Sequence, residues 1–422
     1  MSDSGNCIVH VPRRFVADEW GGTETVILEI ARQQQRAGYT TRVETSMALA
    51  KQRSEMIGGV PVLRHSYCYP FLGLSRVDCA AMDKKGGNLL SLPLFWSLLR
   101  TKDVRIFHAH ALKRVGGAVR TAARLRKKPF VVSLHGGVFD VPAAELADMT
   151  AQIEGKVEWG KAFGALFGSR RILEEADHVI CVGMSEFEAA QRSLSHDRIS
   201  YLPNGVDTQR FSAGDGAGFR AQHGISESAF VVLNVSRIDA QKNQLLLVEA
   251  FSHLHATHRD AVLVLIGPET QPDYALKVRT KIASLGLESA VRILPGMPAG
   301  DSALVDAYHA CDTFALASRH EPFGIVVLEA WSAGKPVVVS DVGGLRALVN
   351  DGVTGFKVDT TGADPAARFA KHLSLLATNP ALRQALGEAG QSCALSHYDW
   401  ACVNRQLETI YQSAEAHAAI RK

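Results

Sequence analysis

Between His320 and Gly344 the chain reads HEPFGIVVLEAWSAGKPVVVSDVGG, and two carboxylates, Glu321 and Glu329, stand eight positions apart around an expected helix start. Pro322 is best tolerated in the first turn of a helix, and Gly324 leaves the backbone open to close approach. The N–H groups of Gly324, Ile325 and Val326 are therefore expected to point out of a helix N-terminus, and such a terminus attracts phosphate. Eight residues at helical rise cover roughly 12 Å, enough to set Glu321 beside a sugar ring, the helix start beside a diphosphate and Glu329 beside a ribose. Each part of a nucleotide sugar would then meet a hydrogen-bonding partner. The bland alternative is a pair of ordinary charges at the rim of an amphipathic helix. Context weighs against it: FGIVVLEAW runs into GKPVVVS, a β-branched stretch that reads as a fully buried parallel strand, and then into the turn Asp341-Val342-Gly343-Gly344.

Other segments supply complementary chemistry. Arg237 and Lys242, in VSRIDAQKN, follow an expected strand and precede a helix. Two cations there would neutralise the negative charge that builds on a leaving diphosphate. Gly267-Pro268-Glu269 and Pro295-Gly296-Met297 end consecutive strands, where Gly267 and Met297 could frame a base with backbone groups. Near the N-terminus, Gly21 and Gly22 open a helix and can bring backbone N–H groups close to a phosphate. They do not form G-x-G-x-x-G, which lowers the case for a nicotinamide oxidoreductase. His135, in His135-Gly136-Gly137, lies just past a strand, at the carboxyl end of an α/β sheet where ligands bind; it could donate to a sugar hydroxyl or to a developing charge. His108 and His110, in FHAHA, leave a structural and a functional reading both open.

The elements that must position these residues follow an α/β pattern. Strands are expected at Cys7–Val11, Thr41–Thr45, Val104–His108, Phe130–Leu134, His178–Val182 and Ile199–Leu202, with helices near Thr25–Ala37, Lys113–Lys127 and Glu158–Ala176 and from Ser185. Ser212 to Gly218 reads as a glycine-rich connecting loop. A second series restarts at Phe230–Val235 and continues through Ala261–Ile266, Val291–Leu294, Thr313–Leu316 and Val337–Ser340, with helices between. Two tandem Rossmann-like domains are the natural reading. The region from Ser66 to Leu99 is irregular and is left as an inserted helical hairpin, an acceptor wall or a membrane-facing patch.

At 422 residues with 46% hydrophobic and 21% charged residues, the chain is long enough for two cores. No apolar run reaches the roughly 18 to 20 residues of a membrane span, and the start lacks the pattern of a secretory signal. A cytoplasmic protein is expected. Seven scattered cysteines suggest neither a disulfide framework nor a zinc site. The net charge of +3 argues against nucleic-acid binding. It is unevenly spread, however: basic residues from Lys102 to Lys128 face a single acid, Asp103. That segment is either a solvated helix face or a surface that docks on anionic lipid at the inner face of a membrane, or holds a phosphorylated acceptor.

Taken in order, Gly21-Gly22, His135-Gly136, PNGVDTQRF from Pro203 to Phe211, Arg237 with Lys242, and HEPFG through Glu329 resemble the retaining glycosyltransferases of family 4. The resemblance covers almost the whole chain. It implies the GT-B fold, with two Rossmann-like domains whose parallel sheets face each other across a cleft: an acceptor-side domain over 1–208, a nucleotide-sugar domain over 209–395, and a closing helix over 396–422 that crosses back. It also implies that Arg237 and Lys242 hold the donor diphosphate, Glu321 the transferred sugar and Glu329 the ribose, with His135 near the anomeric region. Transfer with retention to a saccharide or lipid-linked acceptor is expected, in polysaccharide or glycolipid synthesis, with no metal and no cofactor beyond the nucleotide-diphosphate sugar. The absence of a D-x-D pair agrees with the lack of a metal. Tyr39 and Asn243 depart from the family pattern, where histidine and glycine are frequent. A non-catalytic sugar-nucleotide-binding subunit, a phosphorylase and an epimerase of the same fold are the alternatives.

Overall fold

A computed structural model describes residues 5–17, 20–136, 153, 155–297 and 300–421. The chain divides into two compact units, one of Met1–Pro203 with Val403–Lys422 and the other of Asn204–Cys402.

In the first unit, strands β1 (Cys7–Val11), β2 (Thr40–Ser46), β3 (Ser54–Ile57), β4 (Val60–His65), β5 (Val104–Ala109), β6 (Phe130–Leu134), β7 (His178–Cys181) and β8 (Ile199–Tyr201) form one sheet. Its order is β3-β4-β2-β1-β5-β6-β7-β8, parallel throughout except for the antiparallel β3–β4 pair. The chain leaves β1 for β2 on one side and reaches β5 on the other. The carboxyl ends of β1 and β5 therefore flank a topological switch point, the usual place for a ligand in such sheets. From Val403 on, the helix Trp400–Ile420 packs with this unit, where Arg105 forks to Glu408 and Glu415.

The second unit carries β9 (Val231–Val235), β10 (Val262–Ile266), β11 (Val291–Leu294), β12 (Thr313–Leu316), β13 (Val337–Ser340) and β14 (Gly355–Val358), all parallel, in the order β11-β10-β9-β12-β13-β14. Alternate residues feed two cores. Val231, Leu233, Val264, Phe314 and Val339 face one cluster, and Val232, Leu263, Ala315 and Val338 face the other. Helices cover both faces, which is why the interior strands β9, β10, β12 and β13 are nearly continuous apolar runs rather than alternating ones.

Two elements differ from their expected form. The helix expected over Glu158–Ala176 shrinks to Lys161–Leu166. Gly168 adopts a left-handed φ of 58°, and the Phe167 carbonyl accepts from Arg120 and Thr121 rather than from a continuing helix. The loop expected over Ser212–Gly218 is helical in its second half, because the Asp215 side chain caps the helix Gly216–Gln222 by accepting from the Gly218 N–H at 2.8 Å. The irregular region contains two helices, Arg76–Lys85 and Leu92–Arg100. All seven cysteines are free thiols, with Cys7, Cys181 and Cys311 buried.

Candidate functional site

The loops after β9 and β12 hold the cations and one carboxylate together. Asp239, almost fully buried, accepts from the Lys242 backbone N–H at 3.0 Å and pairs with the half-exposed Arg237 guanidinium at 3.3 Å. Asn243 caps the following helix in a left-handed conformation, φ 55°, which asparagine tolerates better than most residues. Gln241 stitches this loop to the next: its carbonyl accepts from the Arg319 N–H at 2.8 Å, and its amide donates to the His320 carbonyl at 3.2 Å and accepts from Arg237 at 3.1 Å. Between them the Lys242 ammonium meets the Glu321 carboxylate at 2.5 Å, with both side chains largely buried and Ser318 adding a bond at 3.3 Å.

Glu321 is fixed from behind by a glycine turn. Its carbonyl accepts from the Gly344 N–H at 2.7 Å, and a Cβ at Gly343 would stand 2.3 Å from the same oxygen. The helix itself begins at Ile325, after Gly324 in a left-handed conformation. Pro322 thus lies outside the helix instead of in its first turn, and the helical-rise estimate does not apply between Glu321 and Gly324. The N–H groups of Ile325 and Val326 still occupy the first turn, where intrahelical acceptors are lacking. Within the helix, Glu329 accepts from the Tyr308 hydroxyl at 2.7 Å. Burial pushes its carboxyl above the usual range, opposed by that hydroxyl and by the Arg210 charge. Gly267 ends β10 against the Ser236 carbonyl, which a Cβ would approach to 1.8 Å. Met297 packs on the same apolar cluster as Ile325 and Val326. Arg237, Lys242, Glu321 and Gly324 therefore form one constellation at the carboxyl ends of the second sheet, with Glu329 one helical turn further on.

Gly21, Gly22 and His135 belong to the first unit. Gly21 is the N-cap of the helix Gly22–Arg36, and the buried Glu24 occupies its first turn. This places an acid where a phosphate was expected. His135 lines a cavity of about 270 Å³ together with Arg13, Thr23, Lys113 and Gly136. Gly137 lies outside the described residues. Lys113 is held below the usual lysine range first by burial and then by the charge of Arg13. One Arg13 nitrogen donates to the Asp83 carbonyl at 2.6 Å, and its Nη1 is buried with no partner among the described residues. Two cations thus converge on this cavity.

Behind His135 lies a buried histidine cluster. His135 bonds to His110 at 2.9 Å, His110 to His10 at 3.0 Å, and His10 to Gln34 at 2.9 Å. Gln34 continues to Tyr411 at 3.1 Å, Tyr411 to His108 at 2.8 Å, and His108 to Ser133 at 2.7 Å. Burial holds His10 and His135 down at about 4, and His108 and His110 well below their usual value. His10, His108 and His110 also offer ligand atoms within 4.8 Å of one another, the one such group of metal-binding residue types among those described. Every nitrogen of these three rings is already hydrogen-bonded.

Sequence reading missed His10, Gln34, Tyr308, Arg13 and Tyr411. His10 carried a signal, being a polar residue in the middle of the apolar strand CIVHV. In the basic segment Arg105 pairs with Glu408 and Glu415, Arg114 with Glu158, and Arg120 and Arg124 with Glu175. Carboxylates remote in sequence thus neutralise four of its arginines, and the segment is not a continuous cationic face.

The chain matches the family described as Glycosyltransferase Family 4 over residues 20–210 and that described as Glycosyl transferases group 1 over residues 217–392. It is 31% identical over 412 residues to D-inositol 3-phosphate glycosyltransferase 1 of Catenulispora acidiphila, covering 93% of this chain and 91% of that one. It is 30% identical over 432 residues to D-inositol 3-phosphate glycosyltransferase of Frankia alni, covering 95% and 96%. Among solved structures it superposes on Anabaena Alr3699/HepE in complex with UDP and glucose with a TM-score of 0.70, at 20% identity over 96% of this chain and 99% of that one. Sucrose-phosphate synthase of Thermosynechococcus elongatus gives 0.70 at 18% identity, over 97% and 99%. The two sheets of largely parallel strands have the GT-B fold of these glycosyltransferase structures. The chain belongs to the group 1 glycosyltransferases.

Proposed function

We propose that the protein transfers a sugar from a nucleoside-diphosphate donor, with retention of anomeric configuration and without a metal, to a hydroxyl of an acceptor that carries a phosphate. The observation that carries this reading is the Lys242–Glu321 pair with Arg237 beside it, at the carboxyl ends of β9 and β12. Breaking the anomeric C–O bond leaves negative charge on the diphosphate. An ammonium, a guanidinium and the first N–H groups of the helix Ile325–Ser332 stabilise that charge most as it develops. With these cations in place and no D-x-D pair in the sequence, the leaving group needs no divalent ion. Glu321 then orients the sugar through its hydroxyls, and Glu329 meets the ribose. The acceptor oxygen attacks the face from which the diphosphate departs, and its proton passes to the departing phosphate oxygen. The Anabaena neighbour, solved with UDP and with UDP-glucose, supports a nucleotide-sugar donor.

The acceptor reading rests on Arg13 and Lys113. Two like charges converging on one cavity beside His135 favour an anion there. The relatives named D-inositol 3-phosphate glycosyltransferase point the same way. This narrows the expected saccharide or lipid-linked acceptor to one bearing a phosphate, and it is favoured over membrane docking by the 102–128 segment, whose arginines are largely paired.

The test is direct. Glu321→Ala is expected to abolish transfer while the protein still folds; near-full activity in the purified variant would overturn the assignment. Nucleotide sugars at millimolar concentration should raise the melting temperature of the wild type, and a flat response to uridine, guanosine and adenosine diphosphate sugars alike would count against the donor site.

A further inference from the structure

We propose that Gln34, acting through His10 and His110, fixes the proton of His135 on Nε2, so that Nδ1 faces the reaction as a hydrogen-bond acceptor. The inference rests on the transferase reading only for its consequence in catalysis; the proton position itself follows from the hydrogen-bond chain. Gln34 Oε1 carries no hydrogen, so the 2.9 Å bond to His10 requires a proton on His10 Nε2. A neutral imidazole has one N–H, which leaves His10 Nδ1 bare. The 3.0 Å bond to His110 must then be donated by His110 Nε2, which leaves His110 Nδ1 bare in turn. The 2.9 Å bond between that nitrogen and His135 must be donated by His135 Nε2. His135 Nδ1 is therefore a lone pair.

The other half of the Gln34 amide orders a second arm. Its N–H₂ group donates to the Tyr411 oxygen at 3.1 Å, the Tyr411 hydroxyl donates to His108 Nδ1 at 2.8 Å, and His108 Nε2–H donates to Ser133 at 2.7 Å. Turning the amide through half a turn would reverse every bond in both arms and move the His135 proton to Nδ1. One side chain thus sets the polarity of six hydrogen bonds. Burial keeps the rings neutral, so the chain holds N–H groups in place rather than a charge. His135 then accepts from a sugar or acceptor hydroxyl, the reverse of the donor role its place after β6 suggested. Gln34, His10 and His110 are positioning residues; His110 and His135 both line the cavity, and His135 ends the arm.

Nitrogen-15 spectra of histidine-labelled protein distinguish the two neutral tautomers and the cation. At neutral pH the wild type should show His10, His110, His135 and His108 all protonated on Nε2. In Gln34→Glu the carboxylate accepts from both sides, so His135 should keep its Nε2 proton while His108 moves to Nδ1–H. In Gln34→Met the anchor is lost. His135 should become a mixture of tautomers, with kcat lower by about tenfold and the donor KM within about twofold, and Gln34→Glu should recover most of that kcat. Finding His135 protonated on Nδ1, or cationic, in the wild type would overturn the proposal, as would a single unchanged His135 tautomer in Gln34→Met. If that variant does not fold, the wild-type and Gln34→Glu spectra still decide. Should no donor support transfer while the tautomers are as stated, the functional reading fails and the proton assignment stands.

Discussion

At the residue scale the account turns on whether the Lys242–Glu321 pair serves a ligand or only the fold. Removing one partner of a buried pair leaves an uncompensated charge. Lys242→Met should therefore lower stability by about 3 kcal/mol and kcat/KM by at least about a hundredfold. Adding Glu321→Gln to it should restore most of the stability but none of the activity. Urea unfolding and initial rates on the wild type, both single variants and the double variant check this, and activity returning in the double variant would show the pair to be structural. These residues were legible in the sequence because charges flanking apolar strand runs stand out. Tyr308 was not: it lies in an unremarkable helix segment, and only the fold brings it to Glu329. Gln34 and Tyr411 were hidden for a stronger reason, since 377 positions separate two side chains that share one bond.

At the scale of elements, the glycine turn after β13 is what aims Glu321. Gly343 has a φ of 48°, and any Cβ there meets the Glu321 carbonyl. Gly343→Ala should cost about 1–3 kcal/mol and also depress donor affinity, because relief of the clash displaces the carboxylate. Gly286 is a fitting control: its φ is 64° with nothing near an added Cβ. Gly286→Ala should cost about 1 kcal/mol and leave the donor KM unchanged. Thermal melts and donor titrations of both variants separate the effects, and equal loss of donor affinity in the two would contradict the positional role. The interior strands β9, β10, β12 and β13 could be read from sequence because burial on both faces makes them nearly unbroken apolar runs. Strands β3, β4 and β14 escaped because they are short, partly exposed and interrupted by Pro61 or opened by Gly355. The helix expected over Glu158–Ala176 is shorter because Gly160 caps its start and Gly168 turns left-handed just past its end.

At the scale of the whole molecule, the buried histidines make stability depend on pH. Burial holds His10, His135 and His178 at about 4 in the folded protein, against the ordinary histidine value of 6.5. Between those values the unfolded chain takes up protons that the folded chain does not, so stability rises with pH across the window and is lost as pH falls through it. Above it the three make no pH-dependent contribution. Each histidine that remains neutral steepens the loss by up to about 1.4 kcal/mol per pH unit. Urea midpoints measured from pH 7.5 to 4.5 should fall steadily below 6.5, less steeply in His178→Gln; a flat profile would mean that the cluster is already hydrated or charged. The two-unit α/β plan was legible from the alternation of strand and helix signals. The histidine chain was not, since it joins residues from β1, β5 and the first and last helices of the unit with one just beyond β6.

Sugar transfer from a nucleotide donor by the Lys242–Glu321 constellation is tested by incubating the wild type and Glu321→Ala with a panel of nucleotide sugars and phosphorylated or unphosphorylated polyol and sugar acceptors. Products are identified by mass spectrometry, and their anomeric configuration by proton NMR. The account predicts one donor–acceptor pair giving a glycoside of retained configuration on a phosphorylated acceptor, with release of the nucleoside diphosphate and no product from Glu321→Ala. A product of inverted configuration, or undiminished transfer by Glu321→Ala, would contradict it.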